Sequence, residues 1–197
     1  MKKLYFCFFI IFLSFNYIFA SDKSIKLTKR EIAWLKEHPV ITVVQDSGWP
    51  PIEFKNDKGE YVGITSDYLK IIEARLDIKF KRIETQSWAE AYSKLQSWDI
   101  DMTTSVTTTP ERLKFWAFTK PYMKIPIVII AHSDVTFISS LKQLSGKKIA
   151  VVEGYAVSEW IPRDYPEIEL VKVKNVIKGL DLLKKKEVFG FHLSFQC

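Results

Sequence analysis

The sequence predicts an α/β fold with mainly parallel sheets, in two lobes that meet near Pro121 and Pro126. Three observations predict it. "VITVV" (40–44) is a continuous apolar, β-branched run and "KKIAVV" (147–152) ends in an apolar one, the composition of buried strands. Segments with helical apolar spacing follow such runs in both halves, so strand and helix alternate. Turn residues punctuate the changes, with Pro39, Gly63, Gly146 and Gly154 each closing an element.

Each element has a local cause. Thr28 and Glu31 form a capping box ahead of "REIAWLKEH", and Pro39 stops that helix. The strand "VITVV" follows, and "GWPPIEF" breaks into a loop. "NDKGEYVG" (56–63) is turn chemistry around a short hairpin. Ser66 or Asp67 caps a helix with Leu69, Ile72 and Leu76 on one face. "IKFKRI" (78–83) alternates as a strand. Ser87 and Glu90 form a second capping box, before an apolar face of Ala91, Tyr92 and Leu95. "DIDMTTSV" is a strand running into a polar loop, Thr109-Pro110-Glu111 starts a short helix, and "FWAFT" and "IVIIAH" are strands. Beyond them "SLKQLSG" is a short helix, "KKIAVVEG" a buried strand and "AVSEWI" a helical turn. "IELVKV" is a strand, "VIKGLDLLKKK" a helix and "VFGF" a last strand.

The chain has 197 residues, enough for one ordinary domain or two small lobes. Its formal charge is +6, or +4 once Lys2 and Lys3 are set aside with a leader. The remaining Lys and Arg are interleaved with Asp and Glu, and Lys184-Lys185-Lys186 suits a helix C-terminus, so nucleic acid is not an expected partner. "MKKLYFCFFIIFLSFNYIFA" has two lysines before an apolar run ending in Ile18-Phe19-Ala20, the pattern of a secretory signal peptide over residues 1–20. The competing reading is a membrane anchor, but the run from Leu4 to Ala20 is 17 residues and carries Ser14 and Asn16. Cleavage implies a periplasmic location and leaves Cys197 as the one cysteine, with no zinc spacing, no disulfide and no metal site. The expected organisation is a helical segment at 21–39, a first lobe at 40–125 and a partial second lobe at 126–197.

In an open parallel sheet, ligands bind on the loops beyond the carboxyl ends of strands. Three such places carry functional groups: Asp46 to Trp49, Trp88 at the start of its helix, and Thr104 to Arg112. The third suits an anion, because a helix start offers free N–H groups, Ser105, Thr107 and Thr108 offer hydroxyls, and Arg112 offers a bidentate fork. The bland alternative is a helix capped by Thr109 with Arg112 facing water. Trp49 and Trp88 are either aromatic walls of a crevice or core, and Asp46 either holds a cationic or hydroxyl group or caps a turn. His38, His132 and His192 are scattered, and no metalloprotease, serine-hydrolase or phosphate-loop motif appears, so an enzyme and a cofactor are not expected.

Five segments in order resemble the family 3 extracellular solute-binding proteins, the amino-acid-binding branch of the type II periplasmic binding fold. They are "VITVVQDSGWPPIEF", "GEYVGITSDYLKII", "SWAEAYSKL", "DIDMTTSVTTTPERLKFWAFTKPY" and "LSGKKIAVVEGYA". The opening "LTKREIAWLKEHPVITVV" is similar to the Venus-flytrap sensor domains of bacterial sensor kinases and diguanylate cyclases. Related domains precede some lytic transglycosylases. The resemblance implies two lobes that close on a small amino-acid-like ligand. Arg112 would clamp its carboxylate with help from Ser105 and Thr107, Trp49 and Trp88 would flank it, and Asp46 would lie near its side chain. Tyr155 would close over it from the second lobe. The implied partners are a membrane transporter or a signalling kinase.

The second lobe departs from the family pattern. Tyr155, Ala156 and Val157 follow the Gly154 turn where the family often offers a threonine, and "VFGF" continues as "HLSFQC" rather than in a run like "GFID". The expectation is a truncated copy, with apolar faces at Leu180, Leu183 and Val188 left under-covered. Besides solute capture, the sequence leaves open a detached sensory module and a non-functional remnant.

Overall fold

A computed structural model describes residues 25–194. The expected leader at 1–20 lies outside the described residues. The residues divide into two compact units, one ending at Glu37 and one beginning at His38. The described part of the first holds helix α1 (Lys29–Glu37). Its capping box forms as the sequence predicts: Glu31 N–H donates to Thr28 Oγ1 at 3.3 Å, and Thr28 N–H donates to Glu31 Oε2 at 2.6 Å.

The second unit is built on two α/β sheets. In the first, β1 (Val40–Val44) lies between β5 (Lys79–Arg82) and β6 (Met102–Thr103), all parallel. Val43 and Val44 are fully buried, whereas Val40 is exposed, because β6 flanks only the carboxyl half of β1. Helix α2 (Ile64–Leu76) precedes β5, and α3 (Trp88–Gln96) follows it. The sequence expected Ser66 or Asp67 to cap α2. The cap is Gly63 instead, at φ 110°, and Ser66 is buried in the first turn, where its hydroxyl accepts from Gln45 Nε2 at 3.3 Å. Ser87 caps α3, accepting from Glu90 N–H at 3.2 Å, and Glu90 reaches back to Gln86 N–H at 2.8 Å.

"GWPPIEF" is more than a loop. β2 (Gly48–Trp49), β3 (Glu53–Lys55) and β4 (Tyr61–Val62) form a small antiparallel sheet after β1. "FWAFT" is not a strand. Trp116 turns its indole N–H onto Leu95 O at 3.2 Å and packs its ring 5.0 Å from Tyr92, so this aromatic run is held by side chains rather than by pairing. The chain then crosses to the second sheet through residues 116–126 without regular structure.

The second sheet has the order β7-β10-β8-β9, from β7 (Ile127–Ala131), β8 (Lys148–Val152), β9 (Glu169–Val173) and β10 (Gly190–Ser194). Only β7 is antiparallel. The alternation of β8 explains its apolar sequence: Ile149 and Val151 join the cluster of Val157 and Ile161 from α4 (Val157–Asp164). Ala150 and Val152 face the opposite cluster, with Leu183 of α5 (Val176–Lys184) and Phe191. Val188 and Leu183 are therefore buried, contrary to the expected under-covered face, and Leu180 alone of those three is exposed. The last strand is longer than "VFGF" suggested, running through His192 to Ser194.

Candidate functional site

The carboxyl ends of strands from both sheets meet at Gly154. Gly154 O accepts the Trp88 indole N–H at 2.9 Å and Arg112 Nη2 at 2.8 Å. Gly154 takes φ +79°, and a Cβ there would lie 3.0 Å from Trp88 Cδ1, so glycine permits both the turn and the close approach. The next residue, Tyr155, packs against the cores of both sheets. Its hydroxyl donates to Asp46 Oδ2 at 2.6 Å, and its ring lies 6.3 Å from that of Trp49.

The Thr104–Arg112 segment is built differently from the expected helix start. The helix is a three-residue 3-10 turn, Arg112–Lys114, with Arg112 as its first residue. Its N-cap is Glu111 rather than Thr109, with no side-chain capping bond, although the Thr109 hydroxyl accepts from Arg112 N–H at 3.2 Å. Arg112 does not face water: its side chain is 2% exposed. Nε donates to Glu159 Oε1 at 3.0 Å and Nη1 to Thr107 O at 3.0 Å. The guanidinium also stands 5.4 Å from the Tyr92 ring centre and 5.9 Å from that of Trp116. Thr107 thus meets Arg112 through its carbonyl rather than its hydroxyl. Ser105 Oγ is buried near Glu53 but outside hydrogen-bond geometry.

A buried polar group supports the first loop from below. Glu53 is fully buried. It accepts from Asp46 N–H at 2.9 Å, from the Thr65 hydroxyl at 3.0 Å and from the Thr104 hydroxyl. Burial outweighs these donors and pushes its pKa up to about 7. Burial also raises Asp46, opposed by the bonds from Tyr155 and Gly48 N–H.

A cavity of about 210 Å³ opens between the two sheets. Asp46, Gln86, Ser87, Trp88, Tyr155, Lys174 and Asn175 are among its walls. Of the sequence-predicted site residues, Asp46, Trp88 and Tyr155 line it. Trp49 is not among its walls, although its ring lies 6.3 Å from that of Tyr155, and Ser105, Thr107 and Arg112 also lie outside them. Lys174 and Asn175 were missed, although they stand just beyond the carboxyl end of β9, where the same strand-end rule points. A larger open groove, about 640 Å³, lies at the amino ends of β8 and β10 among His132, Lys148 and Phe189, away from these groups. Among the described residues no cluster of three or more His, Cys, Asp or Glu is placed to hold a metal ion. No described helix is long and apolar enough to cross a membrane.

Comparison with known proteins gives a consistent outcome. Residues 41–188 match the bacterial extracellular solute-binding proteins, family 3. The chain is 26% identical over 146 residues to the virulence sensor protein BvgS of Bordetella pertussis, a match covering 74% of this chain and 12% of BvgS. It is 28% identical over 148 residues to a probable amino-acid ABC transporter-binding protein of Haemophilus influenzae, covering 74% of this chain and 56% of that protein. Among solved structures, a point mutant of arginine-bound ArgBP from T. maritima superimposes with a TM-score of 0.72 at 27% identity, over 82% of this chain and 76% of that one. The architecture is that of the type II periplasmic binding proteins. The chain spans about an eighth of the sensor's length and little more than half of the transporter-binding protein's.

Proposed function

Because the chain belongs to the bacterial extracellular solute-binding proteins, family 3, we propose that it captures an amino acid or related small carboxylate in the crevice between its two sheets, in the periplasm. The observation that carries this reading is the convergence of strand ends from both sheets on one polar cavity. Its volume, about 210 Å³, lies below the about 300–1,000 Å³ of pockets for drug-sized ligands, which suits a small solute. Asp46 offers an acceptor for an amine or hydroxyl and Lys174 a cation. Trp88 and Tyr155 supply apolar walls. Arg112, directly behind Gly154, is the fork for a carboxylate once the sheets part. Binding then draws the Gly154–Tyr155 turn back over the ligand by hinge closure about residues 116–126.

Closure is read by a membrane transporter or by a signalling kinase. The likeness to BvgS favours the sensory role and the likeness to the transporter-binding protein favours uptake. A thermal-shift screen of the purified protein against the twenty amino acids tests the reading, with L-arginine first because ArgBP is arginine-bound. The expected result is a rise in melting temperature with at least one of them. A cooperative unfolding transition that none of them moves would count against it.

A further inference from the structure

Arg112 already holds a carboxylate, and it is the protein's own. Glu159 stands in the first turn of α4, on the second sheet, 47 residues from Arg112 in sequence. Its Oε1 accepts from Arg112 Nε at 3.0 Å, and its Oε2 accepts from the Thr109 hydroxyl at 2.6 Å. The guanidinium is buried and its partner partly so: the Arg112 side chain is 2% exposed and that of Glu159 17%. Gly154 O takes a further guanidinium N–H at 2.8 Å. Of the three bonds from the arginine, two go to the second sheet and one to its own loop. The fork that would grip a solute carboxylate is thus occupied, and its occupant bridges the two sheets.

We propose that Glu159 is an internal carboxylate that competes with the solute for Arg112 and so sets the specificity of the crevice. The inference rests on the reading of Arg112 as a solute anchor. Removing a buried guanidinium from its carboxylate leaves two unpaired charges, so Glu159 leaves Arg112 only when another carboxylate takes its place or when water reaches both. A solute without a carboxylate gains nothing from displacing it. A solute with one gives up affinity in proportion to the fraction of time that Glu159 holds the fork. Glu159 thus lowers the affinity of every carboxylate solute by one common factor, leaves solutes without a carboxylate untouched, and keeps the sheets together when no solute is bound.

Glu159→Gln tests this, because it keeps the shape and an acceptor for Thr109 and Arg112 while removing the charge. Two measurements are made on the full chain and the variant: calorimetric titration with L-arginine and with L-argininamide, and hydrogen exchange of the ligand-free proteins over residues 104–116 and 153–160. The expected result is that the variant binds L-arginine at least tenfold more tightly, with L-argininamide unchanged, and that both segments exchange at least tenfold faster while α2 and β5 do not. Equal or weaker L-arginine binding by the variant, with unchanged exchange, overturns the proposal and leaves the solute-binding reading standing. Faster exchange with no binding of L-arginine to either protein also overturns it, since Glu159 is then a strut between the sheets with no carboxylate to compete against. Tighter binding of both L-arginine and L-argininamide also overturns it, since the effect is then not one of carboxylate competition.

Discussion

Replacing Glu53 by glutamine should change how stability depends on pH, in a direction the buried site fixes. Burial raises the Glu53 pKa from the usual 4.5 to about 7. Between those values the folded chain keeps a proton that the unfolded chain has released. The contribution of Glu53 is therefore full below pH 4.5 and is lost as pH rises to about 7. About two and a half pH units at about 1.4 kcal/mol each amount to roughly 3 kcal/mol. His192 works in the opposite sense. It is buried on β10, and burial depresses its pKa from 6.5 to about 4, so its contribution is full above pH 6.5 and is lost as pH falls towards 4. The two nearly offset each other in the natural chain. Glu53→Gln removes the first and leaves the second. Urea unfolding followed by tryptophan fluorescence, from about pH 4 to about pH 7.5, reads the difference. The stability of the natural chain minus that of Glu53→Gln should fall by roughly 3 kcal/mol across that window. A difference that is flat, or that grows with pH, would refute the assignment of a protonated Glu53 beneath Asp46.

Two glycines give further tests. Gly154→Ala forces a side chain into φ +79° and sets its Cβ 3.0 Å from Trp88 Cδ1, so the variant should lose about 1–2 kcal/mol in urea unfolding and show a shifted Trp emission. An unchanged emission spectrum would mean that the sheets do not meet at this turn. Gly179→Ala in α5 would drive its Cβ into the Phe191 ring, an overpacked contact that should cost about 1–3 kcal/mol by the same assay with ligand binding retained.

Much of the fold was legible because its signals are local. The capping boxes at Thr28 and Ser87 and the double-faced burial of "KKIAVV" each depend on a few neighbouring residues, and each forms. The strand-end rule likewise led to Asp46 and Trp88, and the family resemblance to Tyr155, and all three line the cavity. What was not legible depends on distant partners. The run of threonines before Arg112 reads as a helix start with a free fork, yet the turn is three residues long and the guanidinium is taken by Glu159. Nothing near Arg112 in sequence announces a carboxylate on α4. Ser66 has the composition of a cap, but Gln45, just past the end of β1, draws it inside, and Gly63 caps in its stead.

The central claim is that a solute carboxylate is held by the Arg112 fork. Calorimetric titration of the natural chain and Arg112→Lys, with the amino acid that gives the largest thermal shift, tests it most directly. Lysine keeps the charge opposite Glu159 but cannot offer two parallel donors. The account predicts at least a tenfold loss of affinity in Arg112→Lys at an unchanged far-ultraviolet circular dichroism spectrum. Equal affinity in the two proteins would contradict it.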